Sequence, residues 1–407
     1  MKFIQPTGGS SIAFDQGHVP WLDGLRGIAA LWVVISHVQI LSGMRSIPVL
    51  SWGALAVDLF MMLSGFLMTY HYAKRRDVEP WASPSTWATF WARRFFRIAP
   101  LYYLLLIAAL AIGPYIGDYR HAIAELWPAT ATTATRYYDH SPENFLMHAS
   151  FAFGAFPQFA FRTPLPDWSI GLEMQFYLTF PFLMLAIARV GAIRAGLAVI
   201  VLCVAASRYF GDFFQQFEMP SFLPMKLYMF FIGMWVALSW QKKSMRGSLF
   251  ASVIIAIAIC TVDRTFESVG RILMVVAMFY LMSNGTLPSV PVLDVVVGRI
   301  RRLFSSPLAS FLGDTSYSVY LVHLLILLPV SGSLARHSWY VELPAVARFG
   351  VCFLLTAPFA YFFGWLLYRT VEKPGIRIGK WAIKLFNQRE IQLSDSRMAT
   401  ASKSNGI

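Results

Sequence analysis

Two histidines and two carboxylates stand inside long apolar stretches of this chain: His37, Asp58, Glu173 and His323. An ionisable side chain at membrane depth costs at least about 2.5–3.5 kcal/mol, so each needs a reason to be there. One reason is a single interhelical hydrogen bond. Another is chemistry, since an imidazole held by a carboxylate is a general base that works near neutral pH. A second set of candidates is cationic: Arg26, Arg93, Arg94 and Arg97. Arg26 and His37 are eleven residues apart, within about 20° of three full helical turns, so both project from one face. Arg94 and Arg97 are three apart and share a face as well. Guanidinium forks match phosphate oxygens, which makes these arginines candidates for a phosphate-bearing ligand. Their other reading is topology-setting charge in contact with lipid headgroups.

The elements that must position these residues follow from composition. Of 407 residues, 57% are hydrophobic and 14% charged, and the mean hydropathy is +0.55. Soluble domains carry about 25% charged residues, so a water-soluble enzyme, a disordered scaffold and a disulfide-stapled secreted domain are excluded. The chain reads as an all-α membrane protein. The net charge of +13 belongs to positive-inside topology rather than to nucleic acid. Cys203, Cys260 and Cys352 lie in apolar stretches without metal-ligand or Cys-x-x-Cys spacing, so no metal site and no disulfide is expected. No apolar run precedes Pro20, so no cleaved signal peptide is expected.

About ten transmembrane helices are expected, near 22–42, 53–73, 98–117, 168–188, 195–210, 222–240, 248–262, 270–284, 309–331 and 345–368. Placing both termini in the cytoplasm puts most of the 34 Lys and Arg there. Residues 1–20 then form a cytoplasmic segment, 21–386 the membrane domain, and 387–407 a polar, disordered tail. Residues 74–97, with Trp81, Trp87, Phe90 and Trp91 among basic residues, suit a helix in the interface. The outer segment 118–167, with Trp127, Tyr137, Tyr138, His140, Phe156 and Phe161, is expected to cap a site, and 145–160 is a candidate re-entrant piece. At 1.5 Å per residue, His37 and His323 lie about 22 and 21 Å from the cytoplasmic starts of their spans, and Asp58 and Glu173 about 8 Å from outer ends. All four fall in one layer of the outer half.

These two clusters describe a helix-lined passage, basic at its inner end and imidazole/carboxylate at its outer end. Coenzyme A, an anionic nucleotide with a thin thioester arm, has the matching shape. No Gly-x-Ser-x-Gly elbow, phosphate loop or His-Glu-x-x-His motif points to other chemistry.

At this point a family resemblance is carried by six segments in order. They are Trp21-Leu22-Asp23-Gly24-Leu25-Arg26 with His37; Val57-Asp58-Leu59-Phe60-Met61-Met62-Leu63-Ser64-Gly65-Phe66; and Arg94-Phe95-Phe96-Arg97-Ile98-Ala99-Pro100. The others are Trp168-Ser169-Ile170-Gly171-Leu172-Glu173-Met174-Gln175-Phe176-Tyr177; Gly313-Asp314-Thr315-Ser316-Tyr317-Ser318-Val319-Tyr320-Leu321-Val322-His323; and Val371-Glu372-Lys373-Pro374. The chain resembles the membrane acyltransferase-3 family of the bacterial envelope. The resemblance implies a multi-pass protein of the bacterial inner membrane that moves an acyl group from acyl-CoA, acetyl-CoA by family frequency or succinyl-CoA, to a hydroxyl. It implies His37 as the essential catalytic residue and Arg94 and Arg97 in acyl-CoA binding. Gly171, Met174 and Val322 depart from the usual residues, which bears on pocket shape.

The resulting expectation is an O-acyltransferase in which His37 is the base or a transient acyl carrier. Glu173 or Asp58 orients it, and Arg26, Arg94 and Arg97, with Arg93, hold the CoA phosphates. His323, Tyr320, Tyr177, Trp168 and Ser64 are expected to support substrate or structure. The acceptor is a carbohydrate: a polysaccharide, a lipid-linked oligosaccharide or a glycolipid. A competing reading is a proton-coupled transporter or flippase with the buried ionisable residues as a relay; the missing internal repeat weakens it.

Overall fold

The computed structural model describes residues 19–242, 245–253, 266–283, 287 and 290–386, and the regular structure among them is helical, with no strand. The main helices are α1 (Pro20–Leu41), α2 (Gly53–Lys74), α3 (Pro84–Leu126), α4 (Pro142–Ala149), α5 (Trp168–Val190) and α6 (Ala192–Tyr209). They continue with α7 (Leu223–Gln241), α8 (Phe266–Met282), α9 (Pro291–Phe304), α10 (Pro307–Ala335) and α11 (Ala345–Leu367). Among the described residues eight are long and apolar enough to cross a membrane: α1, α2, α3, α5, α6, α7, α10 and the continuous helix from α11 to Phe386. Of the other two expected spans, 248–262 falls largely outside the described residues, and 270–284 corresponds to α8, which has 17 residues.

Helix starts follow local chemistry. Proline opens α1, α3, α4, α9 and α10, where its missing N–H is not needed. The Ser306 side chain caps α10 by accepting from the Ala309 N–H at 3.3 Å. α3 is one helix of 43 residues, so the expected interfacial piece and the third span are continuous from Pro84, and the helix runs on past 117 to Leu126. Internal prolines free backbone carbonyls that other elements then use. Pro181 in α5 leaves the Tyr177 carbonyl without its helical donor, and the Trp91 indole N–H takes it at 3.0 Å. The basic start of α3 is thereby fastened to α5.

Two glycine seams set the bundle. On α1, Cβ atoms at Gly24 and Gly27 would collide with the Phe304 carbonyl and with the Leu312–Gly313 backbone, and one at Gly313 would strike the Asp23 carbonyl. Between α2 and α7, Gly65 lies against the Phe230 carbonyl and Gly233 against that of Met62. In lipid, helices associate by close backbone approach of this kind rather than by a hydrophobic drive. α10 also packs on α3 and α11, so α1 and α10 are central.

The segment from 127 to 167 folds back onto α3 and α5 as short turns and α4. Arg136 is buried, donating to the Thr163 carbonyl at 2.9 Å and lying 3.7 Å from the Phe161 ring centroid. Within 145–160, Phe151, Phe153, Phe159 and Ala160 are buried and Gly154 is packed on Gly171. Irregular backbone is tolerated at such a place because protein covers it. The expected aromatic surface divides: Tyr137 and Phe161 are buried, Arg348 covers Trp127, and Tyr138 and Phe156 are exposed.

Candidate active site

The α1–α10 seam brings the two histidines together. His323 Nε2 lies 3.1 Å from His37 Nδ1, with ring centroids 5.0 Å apart. The hydrogen positions follow from the partners. His323 Nδ1 is 2.6 Å from the Tyr320 carbonyl, which only accepts, so this nitrogen carries the proton and His323 Nε2 carries a lone pair. His37 Nδ1 must then donate, to His323 Nε2 and to the Val33 carbonyl at 3.0 Å. The remaining nitrogen of His37, Nε2, bears the free lone pair. An imidazole with one nitrogen protonated and supported, and the other bare, is the arrangement a general base requires. His323 is fully buried, whereas His37 is partly exposed.

Toward the start of α1 from this pair lies a cleft of about 440 Å³ including its open mouth, lined by Arg26 of α1, Ser64 and Phe60 of α2, Glu173 of α5, and Tyr317 and Tyr320 of α10, among others. Arg26 and His37 thus both face α10, one at the cleft and one beyond its end. Tyr320 joins the two. Its hydroxyl donates to the Pro166 carbonyl at 2.9 Å, so the Ser169 hydroxyl, 2.7 Å away, is the donor in that contact. Its ring lies 6.0 Å from Phe60 and 6.0 Å from His323, centroid to centroid. Glu173 accepts from Ser64 at 2.9 Å and from the Tyr177 hydroxyl. Trp168 begins α5 and is packed against the core.

The arginines separate into two kinds. Arg93 is engaged by Glu79 in a two-pronged ion pair and donates to the Tyr72 hydroxyl at 3.2 Å. Arg94 lies over the Phe90 and Tyr177 rings, 5.8 and 5.6 Å from their centroids, and its buried Nε has no hydrogen-bond partner. Arg97 has Glu372, Tyr177 and Glu173 as electrostatic neighbours. Arg26, Arg94 and Arg97 therefore converge around Glu173 and Tyr177, with Arg93 turned to a separate latch.

The four-residue layer read from sequence is not one cluster. Asp58 is fully buried and bridges Lys226 of α7 at 2.6 Å and Arg271 of α8 at 2.8 Å. Neither it nor Glu173 meets His37; His323 occupies the Nδ1 side where a carboxylate was expected. Counting residues along a span fixes height but not which helices are neighbours. Lys226 was missed, although a Lys within the apolar stretch of α7 is the same kind of signal that identified Asp58. Glu372 was named only as part of a motif. It lies on a π-helical turn, Tyr368–Glu372, is buried, and accepts from Ser318 at 2.7 Å; such turns are frequent at functional sites.

A helical bundle with eight helices of membrane-spanning length, holding a hydrogen-bonded imidazole pair and a cleft lined by Arg26 and Glu173, is the architecture of a multi-pass membrane protein with a buried polar site. Residues 19–369 match the family described as an acyltransferase domain, and the chain belongs to that family. It is 24% identical over 386 residues to the acyltransferase MdmB of Streptomyces mycarofaciens, covering 88% of this chain and 92% of that protein. It is 26% identical over 402 residues to a protein of Staphylococcus aureus (strain COL) named provisionally as an O-acetyltransferase, and 23% identical over 416 residues to the O-acetyltransferase OatA of S. aureus (strain MRSA252). These matches cover 89% and 94% of this chain but only 59% and 61% of the staphylococcal proteins, so the chain spans about three-fifths of their length. No solved structure matches.

Proposed function

We propose that the chain is an integral-membrane O-acyltransferase that moves an acyl group, acetyl in the first instance, from acyl-CoA to a carbohydrate hydroxyl. The observation that carries this reading is the ordered chain of donors from His37 to His323 to the Tyr320 carbonyl, which leaves His37 Nε2 bare. Arg26, Arg94 and Arg97 hold the phosphates of the donor, and the acyl arm runs along the cleft past Ser64 and Glu173 toward Tyr320. His37 Nε2 takes the proton of the acceptor hydroxyl as its oxygen attacks the thioester carbonyl. The carbon–sulfur bond then breaks, and the proton returns from the imidazolium to the CoA thiolate. His323 stabilises the imidazolium through its Nε2, the place held by a carboxylate in Ser-His-Asp triads. Donor and acceptor approach from opposite faces, with both termini and the arginines on the cytoplasmic side of the inner membrane. Family membership supports transfer over transport.

The test is titration of acetyl-CoA and succinyl-CoA into the detergent-purified chain, alongside an Arg94→Ala/Arg97→Ala variant and a His37→Ala variant. The expected result is saturable binding of one donor, lost with the arginines and kept without His37, together with loss of transfer in the His37 variant. No binding of either donor would overturn the transferase reading, and normal transfer by a folded His37→Ala variant would overturn the role of His37.

A further inference from the structure

α9 (Pro291–Phe304) was expected to be part of a connection between spans, yet it forms a full helix with two distinct apolar faces. Val297, Ile300 and Phe304, spaced three and four apart, pack against the core. A second face carries Val292, Val296 and Leu303, with Val295 beside them, and these four are 41% to 72% exposed. Arg299 and Arg302, also exposed, rise from this same outward surface. Arg301 points the other way, donating to the Leu281 carbonyl at 3.0 Å and lying 5.8 Å from the Trp21 ring centroid, so it fastens α9 to α8 and α1. The outward stripe is therefore held in place, and none of the described residues covers it.

Its surroundings indicate what covers it. Two residues separate α9 from Pro307, where α10 enters the bundle, so α9 lies at the end of a membrane-spanning helix. The helix that continues from α11 leaves the bundle at this same end, because α10 and α11 pack side by side and are joined by the short stretch 336–344. That helix repeats the pattern: Ile378 and Trp381 are more than half exposed, between exposed Arg377, Lys380 and Lys384. A rim of apolar residues with cations, at one end of a membrane-embedded bundle, is complementary to the acyl–headgroup boundary of an anionic leaflet.

We propose that α9 is a binding surface for anionic phospholipid, with Val292, Val295, Val296 and Leu303 seated among acyl chains and Arg299 and Arg302 on the phosphates. This does not depend on the transferase reading and is tested without an activity assay. The full chain carrying Val296→Cys and Cys260→Ser is labelled with an environment-sensitive dye and reconstituted in vesicles of phosphatidylcholine and phosphatidylglycerol at 7:3. Bromine quencher is placed on the acyl chains of one lipid or of the other, with composition unchanged. An arginine at an anionic surface is worth about a fivefold preference. Brominated phosphatidylglycerol is therefore expected to quench about fivefold more per molecule than brominated phosphatidylcholine, and an Arg299→Gln/Arg302→Gln variant that elutes as folded protein should bring the ratio near one. Equal quenching in the parent, or a dye reached by aqueous iodide and by neither lipid, would overturn the proposal. So would a disulfide between two unlabelled Val296→Cys copies formed in the vesicle, which would give the face to a second copy of the chain.

Discussion

Replacing His323 separates orientation from proton uptake. His37 Nδ1 has two acceptors, His323 Nε2 at 3.1 Å and the Val33 carbonyl at 3.0 Å. Removing the first leaves the second, so the tautomer that bares Nε2 survives. On the proposed mechanism, what is lost is one hydrogen bond to the imidazolium formed when His37 takes the acceptor proton. A hydrogen bond to a charged group is worth about 1.5–3 kcal/mol, or about 10- to 150-fold in rate at 1.36 kcal/mol per decade. His323→Met, which keeps bulk in a fully buried site, should therefore lower kcat by that factor with little change in KM for the donor. His37→Ala should cost more, because it removes general-base catalysis, itself worth about 10²–10⁴. His323→Gln offers an amide oxygen near the Nε2 position and should recover most of the loss. The assay is transfer from radiolabelled acyl-CoA to the acceptor in reconstituted vesicles, with thermal midpoints to show that each variant is folded. Full activity in His323→Met, or a loss equal to that of His37→Ala with no recovery in His323→Gln, would refute the assigned proton positions.

Three further outcomes follow from the geometry. Arg93→Ala, which breaks the latch to Glu79 rather than the convergent trio, should leave donor affinity within about threefold at 1.4 kcal/mol per decade, whereas Arg94→Ala/Arg97→Ala abolishes saturable binding by calorimetry. Asp58→Asn removes the carboxylate shared by the buried Lys226 and Arg271 and should destabilise the fold by about 3–5 kcal/mol, seen as a fall in thermal midpoint and in yield of monodisperse protein. In the segment 127–167, burial holds the pKa of His148 below its ordinary 6.5, although Asp167 lies 3.7 Å away and opposes the shift. Its unfolded form then binds the extra proton first, so stability present above pH 6.5 declines as pH falls below that value. Hydrogen exchange across 142–167 should accelerate between pH 7 and pH 5, and His148→Phe, which keeps the stack on Phe153, should flatten the response; an unchanged profile in the parent would refute it.

Much of the architecture was legible because lipid imposes simple rules on sequence. Apolar length gave the eight spans described here, and the eleven-residue spacing gave the shared orientation of Arg26 and His37 toward α10. The partner of His37 was not legible. His37 and His323 were read at one height, but Asp58 and Glu173 shared it, and adjacency was decided by glycines at 24, 27 and 313 whose significance lies in a backbone contact rather than in a periodicity. The role of Arg93 was hidden for a similar reason: it adjoins Arg94 in sequence, yet a helix turns neighbouring residues about 100° apart, and Glu79 lies on its side alone. Lys226 shows the opposite failure, a visible signal passed over because its helix otherwise reads as uniformly apolar.

The two seams have a mechanical consequence. Where helices touch through glycine and carbonyl there are no side chains to rotate aside, so α1 with α10, and α2 with α7, each behave as a single stiff plate. The cleft is bordered by residues of both plates and by Ser169 and Glu173 of α5. On the proposed reading, room for a thioester arm to pass Tyr320 would come from one plate sliding against the other, with α5 as the bearing between them. The His37–His323 pair, lying wholly within one plate, would keep its spacing under such a movement.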